Sequence, residues 1–240
     1  MLRFITLFIT LQVFIFAQNT LPFEIYQGRL LDIKENQGTI EDSPLIKVGS
    51  SGIIMHSFDG EKSAIVASVI VTKKEGDFAF VKIEKFKMLK QPAFPEIGIS
   101  AQKGDEVILN YLYNRSLIVA PNERIYKKVT SHFPHMQWVH PDLMAAYLAS
   151  DYKPNPSKYN FDVMCSQNSA GLVFFALNEK GFFVDCQSLK ILQSYDLEEI
   201  KEYQLPFYNR IGEVDTIFWK FTGSKIKDYN KFYSKLLGLK

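Results

Sequence analysis

A chain of 240 residues with 47% hydrophobic and 22% charged residues has the composition of a packed globular protein, not of a disordered one. Its formal net charge of +2 leaves no basic footprint for nucleic acid and no electrostatic case for an anionic membrane as partner. The length fits one large domain or two small ones, and 20 Phe with 12 Tyr supply either an aromatic core or aromatic binding surfaces.

The chain opens MLRFITLFITLQVFIFA. Arg3 gives a short positive start, an uncharged apolar run extends from Phe4 to Phe16, and the small Ala17 precedes polar Gln18, Asn19 and Thr20. That order of parts is a secretory signal, so residues 1–17 are expected to be cleaved and the protein to act outside the cytosol, in the periplasm, at the surface or beyond it. The run is shorter than the roughly 18 to 20 apolar residues that span a bilayer, and no later stretch reaches that length. No transmembrane segment is expected after cleavage.

Residues 18–120 read as strands. Residues 63–72 are rich in Val and Ile, and residues 77–86 alternate, with Phe78, Phe80, Lys82, Glu84 and Phe86 on one parity and Ala79, Val81, Ile83 and Lys85 on the other. Turn signals separate the runs around Gly38, Gly49, Asp59-Gly60 and Gly76, and Asp59-Gly60 suits the positive φ angles of a tight hairpin. A loop punctuated by Pro92, Pro95, Gly98 and Gly104 follows. Two more strands are predicted at 106–113 and 116–119, closing an antiparallel barrel or sandwich-like domain.

Residues 121–240 mix helices and strands. Asn122 caps a helix reaching about His132, 136–139 is a short strand, and Pro141 sits in the first turn of a helix over 143–149. Ser157 caps a helix through Cys165. Strands are expected at 171–177, 182–186, 189–195 and 213–221, and Asn178 to Gly181 turns the first into the second. Ser224 is read as the cap of an amphipathic helix over 225–237 that buries Ile226, Tyr229, Phe232, Tyr233, Leu236 and Leu237. Lys227, Lys231 and Lys235 line its other face, and Gly238 stops it. The fold class is therefore α+β, a barrel-like half followed by a mixed α/β half.

Cys165 and Cys186 either bridge, as an oxidising compartment allows, or sit as buried thiols. A bridge closing a loop of about 20 residues contributes about 3 kcal/mol in the chain-entropy model. His132, His135 and His140 stand near Asp142, but a metal site needs them to converge, and the intervening prolines read as a helix-to-strand connection. A Cys165 nucleophile with His140 as base lacks any local signature. No nucleophile elbow, phosphate-binding loop or dinucleotide fingerprint is present, so neither an enzyme nor a cofactor is expected.

Several strings are familiar. They are Gly49 to Gly52 with 63–68 (SAIVAS), 109–115 (LNYLYNR) leading to 118–122 (IVAPN), 138–143 (WVHPDL) with 145–148 (AAYL), 169–175 (SAGLVFF) and 205–208 (LPFY). The chain resembles the N-terminal domain family of bacterial plasminogen-binding proteins over nearly all of its length after the signal. The resemblance implies a surface or secreted protein that captures host plasminogen, whose kringle domains recognise lysine, preferably C-terminal lysine. Lys240 is then the first candidate ligand, with Lys235 and Lys231 as internal ones. Longer family members carry a lysine-rich extension past this domain. The alternative is an envelope scaffold or assembly factor that binds another bacterial protein through residues 138–148 and a groove between the two halves.

Overall fold

In the computed structural model, residues 21–58, 62–86, 88, 98–212 and 225–239 are described. The signal segment, the Asp59-Gly60 turn, Pro92, Pro95, the strand expected at 213–221, Ser224 and Lys240 lie outside them. The alternating segments of the first half pair into one antiparallel sheet of seven strands: β1 (Tyr26–Arg29), β2 (Asp32–Lys34), β3 (Gln37–Glu41), β4 (Ser51–Phe58), β5 (Lys62–Glu75), β6 (Phe78–Glu84) and β7 (Glu106–Leu109). Their order is β1-β7-β4-β5-β6-β3-β2.

The sheet curls into a half-barrel. Register shifts at Ile54/Met55 and at Val71/Lys73 add local bend. The curl brings β1 towards β3, where the Tyr26 hydroxyl donates to the Glu41 carbonyl at 2.9 Å. The concave side packs Ile40, Ile54, Val69, Val71, Val81 and Leu109. On β6 it takes the slim aliphatic parity, Ala79, Val81 and Ile83, and leaves Phe78 and Phe80 outside at 46% and 37% exposure. A tightly curled interior has room for Ala and Val where two Phe rings would collide.

The second sheet is built from β8 (Arg115–Val119), β9 (Gln137–Val139), β10 (Leu172–Leu177), β11 (Lys180–Asp185) and β12 (Ile191–Asp196), in the order β12-β11-β10-β8-β9. β8 runs parallel to both β9 and β10, while β10-β11-β12 is an antiparallel meander. The expectation that residues 116–119 close the first half is corrected here. Those residues are buried on both faces, which suits the centre of a covered sheet and not a half-barrel with one wet side. The chain changes sheets at residues 110–114.

Alternation sorts the second sheet into two cores. Leu117, Val119, Val173, Phe175 and Val184 face α2 (Pro141–Ser150), α3 (Lys158–Gln167) and α4 (Tyr229–Leu237). Ile118, Phe174 and Phe183 face α1 (Glu123–His132) and the Phe133–Trp138 turn. Trp138 stacks on Phe183 at 6.2 Å and meets Phe174 edge-on at 5.9 Å, and Val139, Met144, Ala145 and Leu148 are buried. Residues 138–148 are thus mostly core, and only Leu143 among the large apolar side chains there stands exposed.

The expected caps are in place on α1 and α3, and α2 opens on Pro141 as expected, with His140 as its cap. Asn122 accepts from the Ile125 amide at 2.9 Å, His140 accepts from Asp142 with Pro141 in the first turn, and Ser157 forms a capping box with Asn160. α4 differs. It starts at Tyr229 with Asp228 as its cap, which accepts from the Lys231 amide at 2.9 Å, and in the stretch before it the Ile226 amide donates to Asn155 at 3.0 Å. Asp228→Ala is expected to lower stability by about 1 kcal/mol in thermal unfolding, as loss of an N-cap does. Gly238 ends the helix in the left-handed conformation, as its position predicts.

Candidate functional site

Two loops carry the chemistry where the sheets meet. Asn110 and Leu112, both at positive φ, turn the chain so that Tyr113 points back across the seam. Asp185, the last residue of β11, is fully buried beneath it. One carboxylate oxygen accepts from the Ser51 hydroxyl at 2.5 Å and the Tyr113 hydroxyl at 2.7 Å. The other accepts from the amides of Gln187 at 3.0 Å and Ser188 at 2.6 Å. The Ser51 amide in turn donates to the Tyr113 oxygen at 2.9 Å. Burial pushes the Asp185 carboxyl above its ordinary range, although hydrogen bonds from Ser51, Ser188 and Tyr113 pull against it. The Tyr113 hydroxyl is pushed up by burial and by the carboxylate beside it.

The seam continues outward. Ser188 donates to the Gly49 carbonyl at 2.7 Å. Gly49 itself has φ +96°, and a Cβ there would stand 2.4 Å from Lys190 Cβ, so the loop requires glycine. Lys47 donates to the Leu192 carbonyl at 3.1 Å and to Gln193 at 3.2 Å, with its ammonium over the Phe23 ring. Burial lowers its pKa.

Beside this seam lies a cleft of about 920 Å³ between the outer face of β4–β6 and α3. Its inner end is bounded by Cys165 and Cys186, whose sulfurs stand 2.00 Å apart as a disulfide with α-carbons at 6.2 Å.

The residues singled out from the sequence fall in separate places. Lys231 and Lys235 are exposed one turn apart on α4, and Lys227 precedes the helix, so the lysine stripe is shorter than expected. His132 and His135 are exposed around the α1–β9 turn, and His140 is a helix cap. Asp142 is engaged by Arg210, which donates to it from Nε and from its backbone amide at 2.8 Å each. Burial would raise the Asp142 carboxyl, but the Arg210 bonds and nearby His140 outweigh that and hold it below the usual range. Among the described residues no cluster of three His, Cys, Asp or Glu stands ready for a metal. Cys165, tied to Cys186, offers no thiolate to His140.

Two features were not foreseen. His56 and Asp105, 49 residues apart in sequence, meet at 2.7 Å beside a polar cavity of about 530 Å³ at one end of the half-barrel. Asp185 carried a signal that passed unused: a lone acid in the apolar string Phe182-Phe183-Val184-Asp185-Cys186. An acid set among such neighbours is buried with partners or not tolerated.

Residues 26–237 match the family described as plasminogen-binding protein pgbA N-terminal. The chain belongs to this family, in agreement with the strings around residues 109–122 and 138–148. Two Helicobacter pylori proteins, from strains J99 and 26695 and each named plasminogen-binding protein PgbA, are 24% identical to it over 196 residues. The aligned region is 80% of this chain and 43% and 42% of those proteins, so the chain spans less than half the length of the curated relatives it matches. No described helix is long and apolar enough to cross a membrane.

Proposed function

We propose that this chain is an exported, non-enzymatic bacterial protein that binds host plasminogen by offering lysine to kringle domains. The family match over residues 26–237 carries the reading. Lys231 and Lys235 support it, being exposed on one helix and forming no ion pair among the described residues. The reading takes Lys240 as a C-terminal lysine, whose ammonium and carboxylate are the pair of charges that a zwitterion-binding pocket reads. Export rests on the signal-like residues 1–17, and an extracellular address is what a host ligand demands.

The test is capture of plasminogen by the chain from Gln18 onward, immobilised on a sensor surface. Saturable binding that a free lysine analogue abolishes is expected. Deleting Lys240 should weaken it at least about tenfold, and Lys231→Ala with Lys235→Ala should weaken it further, since truncating one partner of a charge pair costs about 2 kcal/mol or more. Unchanged binding in both variants would sink the lysine mechanism, and no capture at all would sink the plasminogen reading. Protease accessibility on intact cells gives the address: cleavage only after the outer envelope is breached would point to a periplasmic role.

A further inference from the structure

We propose that the cleft between the half-barrel and α3 is itself a receptor site, for an extended peptide carrying one cationic and one anionic side chain. This goes beyond plasminogen capture, in which the chain supplies the ligand and the partner supplies the pocket.

The floor is a small grid. Ser51, Ile70 and Lys82 lie side by side across β4, β5 and β6, and Ile53, Ser68 and Glu84 form the next row. All six belong to the parity opposite the half-barrel core and line the cleft. Ser68 is 7% exposed there, one of the few buried polar residues on this sheet.

The opposite wall is the free face of α3. Lys158, Asp162 and Ser166 follow at four-residue steps, with Tyr159 and Val163 beside them. Lys158 and Asp162 are exposed and make no ion pair among the described residues, and Tyr159 is 64% exposed between them. Two unpaired, opposite charges flanking an aromatic ring face a floor that alternates hydroxyl and aliphatic groups.

That chemistry selects among ligand classes. Two lysines, Lys82 and Lys158, are balanced by Glu84 and Asp162, so the walls hold no cationic excess for phosphate or nucleic acid. Serines and glutamines interrupt the apolar lining, and an unbroken hydrocarbon chain would leave them without hydrogen bonds. A peptide satisfies each part: amides for Ser68, Gln167 and Gln187, apolar side chains for Ile53, Ile70 and Phe86, and opposite charges for Lys158 and Asp162. The volume lies at the upper end of the roughly 300–1,000 Å³ of ligand sites.

The probe is a fluorescent hexapeptide of alternating valine and serine with one lysine and one glutamate, titrated into the chain from Gln18 onward. Saturable binding is expected, with amide shifts at Ser68, Ile70 and Val163. Lys158→Glu and Tyr159→Ala, both on an exposed helix face, should each weaken it about five- to tenfold without changing the far-ultraviolet spectrum. Both variants should capture plasminogen as the parent does. Overturning results are absence of saturation, shifts confined to other surfaces, equal affinity for a peptide with both charges replaced by glutamine, tighter binding of decanoate, or a parallel loss of plasminogen capture in the two variants.

Discussion

Asp185→Ala is expected to lower the unfolding free energy by about 4 kcal/mol, the scale set by leaving several buried hydrogen-bond donors without their acceptor. The substitution removes one side chain but strands four donors: the Ser51 and Tyr113 hydroxyls and the Gln187 and Ser188 amides. Two of those groups belong to the loops of the second sheet's meander, one to the half-barrel, and one to the crossing segment, so the loss falls on the contact between the sheets. Asp185→Asn keeps an acceptor and the volume, and should cost about half as much. Urea unfolding monitored by tryptophan fluorescence reads both values, and an alanine variant within about 1 kcal/mol of the parent would show that the network contributes little.

The pH dependence has a definite sign. The folded carboxyl of Asp185 titrates above its ordinary value because of burial, so the native state binds that proton more tightly than the unfolded chain does. Its titration therefore favours the fold fully below the unfolded value of about 3.9 and progressively less as pH rises through the raised folded value. The parent should lose stability relative to Asp185→Asn across that window, and the difference between the two should then level off. A gap that widens in favour of the parent as pH rises would mean that the four donors, not burial, dominate the carboxyl.

Local signals read well where one element supplies its own information. The period of two in residues 78–84, the caps at Asn122 and Ser157, and Gly238 after the last helix all act through neighbouring backbone, and each appears where its side chains require it. Failures came where a distant residue decides. Residues 116–119 look the same whether they end a barrel or cross the centre of a second sheet, and the choice is made by β9 and β10 pairing on either side. Ser224 is an acceptable cap by type, but Asp228 takes the Lys231 amide and the helix starts at Tyr229, while Asn155, 71 positions away, holds the Ile226 amide in the stretch before it.

The site was less legible than the fold, for a related reason. Trp138, an attractive surface anchor as an isolated letter, is claimed by Phe174 and Phe183 in the core. The cleft has no linear motif at all: its floor is drawn from three strands and its wall from a helix 70 or more residues later. What the sequence does carry is a pattern of omission. Lys158 and Asp162 stand four apart with the lysine first, the weaker order for a helical ion pair, and the two side chains stay apart in the structure.

Removing the Cys165–Cys186 bond is expected to cost about 3 kcal/mol, the chain-entropy value for a loop of this length, here with a sequence separation of 21. Both residues are buried, so Cys165→Ala with Cys186→Ala also gives up sulfur contacts in the core that holds Phe161, Phe175 and Tyr233. The bond ties the C-terminal end of α3 to the end of β11, one residue from Asp185. Its loss should therefore loosen the wall of the cleft before it disturbs the half-barrel. Hydrogen exchange distinguishes these outcomes: amides of α3 should exchange faster after reduction, while those of β5 and β6 should hold their protection until global unfolding. Intact mass under non-reducing conditions must first show the loss of two hydrogens in protein recovered from the exported fraction. Free thiols there, or identical melting with and without a reductant, would remove the staple from the account and with it the link between an oxidising address and a rigid cleft.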